Sequence, residues 1–178
     1  MLTFISFIYA CIFRLCGVII EGKVKIWPLT FISTGYADGK KGRVVVGPDC
    51  ELSQGVVLKA YGGQINIGRN TFLGEYCIIY GHGGVEIGDN TLIAMHTVIV
   101  SANHTIPTQG ILIRSQPDIP APVKIGSDVW IGAGVKILAG VSIGDGCVIG
   151  AGSVVAKSLP AYSVAVGAPC SVIKQRDE

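Results

Sequence analysis

Three histidines and one aspartate carry most of the reactive chemistry that this sequence offers. His82, His96 and His104 are separated by fourteen and eight residues, and Asp118 follows fourteen residues after His104. An imidazole titrates near neutral pH, so it can take a proton from a hydroxyl group in a transition state or, when neutral, bind zinc. The residue types alone therefore leave a general base and a metal ligand open as roles.

His104 is the strongest candidate for a general base because of where it lies. The stretch "SANHTIPTQG", residues 101–110, interrupts a run of six-residue repeats, and the interruption lasts to about residue 123. A loop of this length without a repeat of its own is more often functional than accidental. Asp118 in this loop could orient His104 or bind the hydroxyl group of an acceptor. The alternative is a solvated insertion in which both side chains are idle.

The other two histidines have simpler structural interpretations. His96 in "IAMHTV" falls at a corner of the repeat, where it is either solvated or directed into the same cleft as His104. His82 lies between Gly81 and Gly83, a pattern typical of a turn. A reach of His82 toward the site of a neighbouring subunit is also conceivable.

A repeat of six residues organises the chain around these candidates. From residue 125 it divides without a gap into IGSDVW, IGAGVK, ILAGVS, IGDGCV, IGAGSV and VAKSLP. Each block begins with a large aliphatic residue and supplies one flat strand and one corner, so three blocks make a triangular coil with the aliphatic residues stacked inside. The same template occurs earlier, with its aliphatic residues at Val46, Leu52, Leu58, Ile67, Leu73, Ile79, Ile87, Ile93 and Ile99.

The repeat predicts an all-β protein, a parallel β-helix in the form of a triangular prism. It extends over residues 24–168, with a protruding loop at residues 101–123 and a tail at residues 169–178. The phase slips at "AYGGQIN" and "GHGGVE", where paired glycines let extra residues bulge from a corner. Handedness stays open at this point because ordinary parallel crossovers are right-handed.

The first 23 residues form a separate apolar segment, predicted as a helix, that begins "MLTFISFIYACIFRLCGVII". The segment lacks the charged start and the cleavage site of a signal peptide. Arg14 near its middle would cost about 2.5–3.5 kcal/mol at the centre of a bilayer. Three arrangements remain open: a lid over the end of the prism, contact of residues 1–20 with a membrane surface, or a span.

Composition narrows the partners and the compartment. The 14 Lys and Arg residues are scattered among 12 Asp and Glu residues, so we expect no nucleic-acid partner. The six cysteines form no C-x-x-C pair, which indicates buried thiols in a reducing compartment. We expect a cytoplasmic protein, with association of the apolar segment with the inner face of the membrane as an open alternative.

The C-terminal half carries a family resemblance. Residues 129–176, "VWIGAGVKILAGVSIGDGCVIGAGSVVAKSLPAYSVAVGAPCSVIKQR", together with "IGDNTLIAMHTVIVSANH" upstream, resemble the hexapeptide-repeat acetyltransferases. The similarity is greatest to the maltose, galactoside and polysaccharide O-acetyltransferases and covers about residues 65–176. The resemblance implies a left-handed coil, a homotrimer with active sites between subunits, acetyl-CoA as co-substrate, and no metal.

The resemblance also implies roles for individual residues. His104 occupies the position of the catalytic histidine. Tyr76 stands where the galactoside enzymes carry an acceptor-binding asparagine, which argues against a simple galactoside acceptor and leaves Tyr76, His96 and Asp118 as acceptor-binding candidates. Residues expected to contact coenzyme A are a tryptophan that lines the cleft, two alanines beside the pantetheine arm, a lysine near coenzyme A and a lysine near its nucleotide phosphates: Trp130, Ala133, Ala151, Lys157 and Lys174.

The expected function is O-acetyl transfer to a sugar or polysaccharide precursor. The acceptor hydroxyl would attack the acetyl group directly while His104 removes its proton, since no activated serine or cysteine is visible for an acyl-enzyme. One alternative is a xenobiotic acceptor of the streptogramin type. Two others are a non-catalytic β-helix scaffold and a zinc enzyme of the carbonic-anhydrase type, whose histidine pattern this sequence does not resemble.

Overall fold

In the computed structural model, which describes residues 2–37 and 39–176, the chain runs through three flat faces in turn and then repeats this path. Met1, the first residue of the predicted helix, and residues 177–178, the last two of the predicted tail, lie outside the described residues. Each face is a sheet to which the successive coils contribute parallel strands, and one face ends in an added antiparallel strand. We name the faces sheets A, B and C in the order the chain visits them.

The strands are short because each face of the prism is narrow. Sheet A contains β1 (Ile19–Ile20), β6 (Arg43–Val46), β9 (Gln64–Ile67), β12 (Val85–Ile87), β17 (Val123–Ile125) and β20 (Ser142–Ile143). Sheet B contains β2 (Lys25–Ile26), β7 (Glu51–Leu52), β10 (Phe72–Leu73), β13 (Leu92–Ile93), β18 (Trp130–Ile131), β21 (Val148–Ile149), β23 (Ser163–Val166) and β24 (Ser171–Gln175). Sheet C contains β3 (Phe31–Ser33), β8 (Val57–Lys59), β11 (Ile78–Tyr80), β14 (Val98–Val100), β19 (Lys136–Ile137) and β22 (Val154–Val155).

The core consists of three columns of aliphatic side chains, one behind each sheet. Every residue that the repeat places at the start of a block is buried, and partners in register, such as Ile93 and Ile131, stack directly on one another. Burying one such side chain is worth roughly 1.5–3 kcal/mol. The parallel β-helix predicted from the repeat is confirmed.

A single substitution tests how much one position of a column contributes. We expect Ile99→Ala to lower the free energy of unfolding by about 2–5 kcal/mol, because Ile99 is 0% exposed and the coils above and below cannot collapse into the cavity. Ile106→Ala makes the same chemical change at a loop residue that is 88% exposed, and we expect a change below about 0.5 kcal/mol. Denaturant unfolding at fixed protein concentration measures both, and equal losses would contradict a column-based core.

The N-terminal helix α1 (Leu2–Leu15) is shorter than the apolar segment. It ends before Gly17, whose φ of 86° is left-handed, and the chain then enters β1, which pairs in parallel with β6. The prism therefore begins at Ile19 and not at residue 24, because Ile20 stacks in register with Val46. Sequence alone assigned these two isoleucines to the apolar helix.

Helix α1 lies against the first coil. Ala10 and Phe13 are buried there, and the hydroxyl of Ser6 both donates to the carbonyl of Ile26 (3.0 Å) and accepts from its N–H (3.1 Å). The Arg14 guanidinium donates to the carbonyl of Ile20 at 2.9 Å. Among the described residues, no helix combines the length and the hydropathy needed to cross a membrane.

Extra residues leave the prism at one edge, where the chain passes from sheet C to sheet A. At this C–A edge the insertions occupy residues 34–42, 60–63, 81–84 and 101–122 on successive coils. The first contains a small ribbon, β4 (Tyr36–Ala37) with β5 (Lys40–Lys41), and the longest contains β15 (Ala102–His104), β16 (Asp118–Pro120) and the 3-10 helix η1 (Ile113–Ser115). The protruding loop is thus the largest member of a stack of insertions.

The C-terminal segment is more ordered than a tail. Strand β24 runs antiparallel to β23 and extends sheet B at its last coil. The Arg176 guanidinium donates to the carboxylate of Asp128 at 2.9 Å. Residues 169–176 therefore belong to the prism.

Candidate active site

His104 and Asp118 face each other across a two-stranded ribbon. Strands β15 and β16 are antiparallel, and these two residues are directly opposite in the register. The Nδ1 atom of His104 lies 2.7 Å from Oδ1 of Asp118. This contact leaves Nε2 as the ring nitrogen open to a ligand, and the His104 side chain is 70% exposed.

A cavity of about 550 Å³ lies beside this pair, within the loop. Its lining includes Ile113, Arg114 and Gln116 in addition to His104 and Asp118. Arg114 comes from the 3-10 helix and brings a permanent positive charge to the cavity. The loop therefore forms a polar recess that carries an imidazole, a carboxylate and a guanidinium.

A second histidine reaches the same carboxylate. His82 Nε2 lies 3.9 Å from Oδ2 of Asp118, and its ring stacks on Tyr61 with centroids 4.2 Å apart. Partial burial lowers the pKa of His82, because desolvation of the imidazolium outweighs the attraction of the Asp118 carboxylate, and the charge of His104 lowers it further. This shift favours the neutral form of His82.

The other expected site residues divide between two edges of the prism. Lys157 is exposed on the C–A edge, the edge that carries His104, Asp118 and His82. On the edge between sheets B and C, the B–C edge, lie Tyr76, His96, Ala133 and Ala151. Trp130 points outward from sheet B, and Lys174 lies in β24 at the end of that sheet.

The B–C edge has an aromatic part and an open part. Tyr76 and His96 both adopt left-handed backbone conformations, with φ of 57° and 59°, and their rings stack 5.6 Å apart. Such a backbone costs of order 1 kcal/mol for a residue other than glycine. The next two coils carry Gly134 and Gly152 at this position, where an added Cβ would meet no atom within 4 Å.

The two edges are separated by the width of sheet C. The extended chain from His96 to Ser101 spans about 16 Å, far beyond the 3–3.5 Å at which atoms react. Within one chain, the structure brings His104 and Asp118 together but not His104 and the B–C edge. Among the described residues, no group of three His, Cys, Asp or Glu side chains is placed to hold a metal ion.

Two participants in this arrangement were missed by sequence reasoning. His82 was interpreted as a turn residue or as one that reaches a neighbouring subunit's site, not as a neighbour of Asp118 in the same chain, and Arg114 was not singled out. The available signal for His82 was that "GHGG" inserts at the same phase of the repeat as the loop, so both must leave the prism at one edge. No pattern in the sequence distinguished Arg114 from other loop residues.

Comparison with known proteins agrees with the fold and the repeat. The family model described as bacterial transferase hexapeptide (six repeats) matches residues 122–157, and that of the hexapeptide repeat of succinyl-transferase matches residues 64–101. A maltose O-acetyltransferase from Clostridium difficile 630 is 34% identical, with 95% of this chain and 75% of that chain covered and a TM-score of 0.57. The chain belongs to the hexapeptide-repeat acetyltransferase family. Its coil is accordingly a left-handed parallel β-helix.

Two further relatives of this hexapeptide-repeat chain are informative. The galactoside O-acetyltransferase of Escherichia coli K12 is 42% identical over 65% of this chain and 56% of that protein. A variant of the Bacillus cereus N-acyltransferase AntD, solved with dTDP-4-amino-4,6-dideoxyglucose and coenzyme A, is 26% identical, with 95% of this chain and 90% of that chain covered and a TM-score of 0.78. This chain spans about half the length of the curated relatives it matches.

Proposed function

We propose that this chain is an acetyl-CoA-dependent O-acetyltransferase whose acceptor is a hydroxyl group of a sugar or polysaccharide precursor, with His104 as general base. The observation that carries the proposal is the contact of His104 Nδ1 with Asp118 at 2.7 Å beside an open recess. The galactoside and maltose O-acetyltransferases among its relatives support a sugar acceptor.

The chemistry of the step follows from the geometry. A neutral sugar hydroxyl is a poor nucleophile, so its proton must leave as it attacks the acetyl carbon. His104 Nε2 accepts that proton, and the Asp118 carboxylate stabilises the imidazolium that forms. Acetyl-CoA supplies an acetyl group activated as a thioester. The imidazolium then returns the proton to the departing thiolate.

The residues of the B–C edge suit a long, thin pantetheine arm. Ala133 and Ala151 leave the backbone accessible beside Gly134 and Gly152, whose corners open to free space. Trp130 offers an exposed ring next to this corner, and the exposed lysines Lys157 and Lys174 can pair with phosphates. Coenzyme A in complexes of AntD supports this assignment.

A complete site requires a second subunit. His104 lies on the C–A edge, whereas Ala133 and Ala151, proposed to flank the pantetheine arm, lie on the B–C edge, and the width of sheet C, about 16 Å, separates the two edges. A cyclic homotrimer lets the C–A edge of one subunit face the B–C edge of the next. We therefore propose three composite sites per homotrimer.

The deciding experiment incubates the purified protein with acetyl-CoA and a panel of acceptors: oligosaccharides, nucleotide sugars and streptogramins. Release of the coenzyme A thiol and a mass increase of one acetyl group on a sugar would establish the function and its acceptor class. An acetylated streptogramin would assign the xenobiotic function instead. Failure to bind coenzyme A would contradict the proposed enzymatic function and leave a non-catalytic β-helix scaffold as the alternative.

We also propose that helix α1 contacts an anionic membrane surface. Its outward face is an exposed apolar stripe of Phe4, Phe7, Ile8, Ile12 and Leu15. Stripes of this kind on a soluble surface are usually covered by a partner or a membrane. Cytoplasmic location at the inner membrane face would suit an enzyme that modifies a lipid-linked glycan.

Charge supports an anionic lipid as the partner. Residues 1–48 contain six Lys or Arg and two Asp or Glu, whereas the whole chain has 14 and 12. The Lys41 ammonium lies beside Gly17 at the end of α1. A cavity of about 780 Å³ beside α1 is lined by apolar side chains such as Phe7 and by the charged residues Arg14, Lys23, Lys25 and Asp49.

Vesicle binding tests the membrane contact. We expect the triple variant Phe4→Ser, Phe7→Ser, Leu15→Ser to bind vesicles that contain phosphatidylglycerol at least about tenfold more weakly, because three apolar side chains no longer enter the lipid. Ile173→Ser removes an exposed apolar side chain elsewhere and should bind like the unchanged protein. Equal binding by all three proteins, or a change of oligomer mass in the triple variant, would contradict a lipid partner.

A further inference from the structure

His82 is a titratable group close to the proposed base that takes no part in the proposed proton transfer. It approaches the Asp118 carboxylate from the side opposite His104, with one histidine facing each carboxylate oxygen. The three side chains therefore form one cluster at the C–A edge, although they come from two separate insertions.

The proposed base pair lacks support of its own. His104 is 70% exposed and Asp118 is 40% exposed, and both lie on a two-stranded ribbon that projects from the prism. An exposed carboxylate on such a ribbon has several rotamers available, and only some of them reach His104. A contact from outside the ribbon therefore adds to the His104 contact in selecting the productive one.

His82 is held far more firmly because its turn is attached to the prism. The Gly83 N–H donates to the Ser101 hydroxyl at 3.0 Å, and that hydroxyl donates to the carbonyl of Tyr80 at 2.8 Å. A Cβ at Gly83 would lie 2.2 Å from the carbonyl oxygen of Ser101, so the turn packs directly against the base of the loop. The Tyr61 ring fixes the plane of the imidazole from the other side.

We propose that His82 is a positioning residue: anchored to the prism, it directs the polar edge of its ring at Oδ2 of Asp118, 3.9 Å away and beyond direct hydrogen-bond distance, so that Oδ1 stays on His104. The proposal rests on the proposed function, because it concerns the same base. Neutral His82 can present its Nε2 edge to the carboxylate without cancelling its charge. The full negative charge of Asp118 then remains available to the imidazolium of His104.

Protonation of His82 has the opposite effect. A charged His82 competes with His104 for Asp118 and repels the imidazolium that forms during transfer. The groups that face His82 are Asp118 and His104 from the loop and the rings of Tyr61 and Tyr80, with the Lys59 ammonium 5.7 and 5.9 Å from those two rings. Both histidines must therefore be unprotonated for activity.

Kinetics of two variants separate positioning from a merely structural role. We expect His82→Leu to lower kcat by about 10- to 100-fold with the acceptor KM unchanged, because Asp118 then leaves His104 without disturbing acceptor binding. His82→Gln keeps a neutral N–H donor and should retain kcat within about threefold. Wild-type kcat in His82→Leu, or a loss confined to KM, would overturn the proposal.

The pH profile gives a second readout. At acid pH, log kcat/KM of the unchanged protein should rise with a slope that approaches about two, since two protons must leave, and His82→Gln should reduce the slope to about one. This test does not depend on the folding of His82→Leu, because it uses only the unchanged protein and His82→Gln. A slope of one in the unchanged protein would contradict the competition for Asp118.

An NMR titration of the His82 ring tests the cluster without turnover. Asp118→Asn should lower the His82 pKa further, because the carboxylate raises it, whereas His104→Asn should raise it by removing a repelling charge. Shifts of the His82 pKa in these opposite directions, with no acetyl transfer to any acceptor, would support the cluster and contradict the proposed function. Absence of both shifts would overturn the cluster itself.

Discussion

Replacing His104 by alanine should lower kcat for acetyl transfer by about 10²- to 10⁴-fold, the contribution typical of a general base. The acceptor hydroxyl would still reach the thioester but would have no group to take its proton. Coenzyme A binding should be unchanged, because His104 is not among the residues proposed to bind it and the proposed pantetheine contacts lie on the B–C edge. Thiol release under saturating acetyl-CoA measures kcat, and equilibrium dialysis measures binding.

The matched control is Asn103→Ala. Asn103 is the exposed neighbour of His104 in the same strand, paired with Ile119 across the ribbon, and it has no proposed role. We expect near-normal kcat in this variant. A fully active His104→Ala protein would assign the base to another group, and equal losses in both variants would indicate that the ribbon itself had been disturbed.

Two inactive variants should recover activity when they assemble together. His104→Ala removes the base from the C–A edge, and Ala151→Trp fills the open corner of the B–C edge on which the pantetheine arm is proposed to lie. In a mixed homotrimer, some clefts combine the intact C–A edge of one variant with the intact B–C edge of the other. Random assembly at equal amounts makes about a quarter of all clefts complete. Each mixed homotrimer has one complete cleft in three, so about a third of normal activity should return once the mixed assembly is separated from the pure ones.

Co-expression with two affinity tags isolates the mixed assembly for this test. Each variant alone should be inactive, and mixing the purified variants without subunit exchange should leave them so. A mixed assembly that remains inactive would place the base and the coenzyme A corner in the same chain. Restored activity would locate the active site between subunits.

Much of this fold was predictable because the signal is local and repeated. A residue such as Ile93 is buried because the block around it has one inward position, and the blocks above and below place Leu73 and Ile131 in the same column. Every coil repeats the same inward position, so an ambiguous block can be aligned from the blocks beside it. The start of the prism could not be located in this way, because Ile20 joins a column only through the pairing of β1 with β6, far along the chain.

The roles of residues in the corners and insertions were harder to predict from the sequence. His82 and Asp118 are 36 residues apart, and their approach depends on two insertions of different length leaving the prism at one edge. A six-residue template describes positions inside the prism and gives no direction to a side chain in an insertion. His104 was found only because its loop breaks the repeat and resembles a family pattern.

The sequence by itself determined the class of fold, the three aliphatic columns and the loop that carries His104, because a period of six with an aliphatic start reports burial directly. Only the tertiary structure decided that Asp118 lies between two histidines and that Tyr76, His96 and Ala151 lie on the other edge. The physical reason is that stacking of the coils brings residues that are far apart in the sequence onto the same edge of the prism. Residues on one edge meet when their insertions reach one another, whereas His104 and the B–C edge of the same chain stay apart by the width of sheet C.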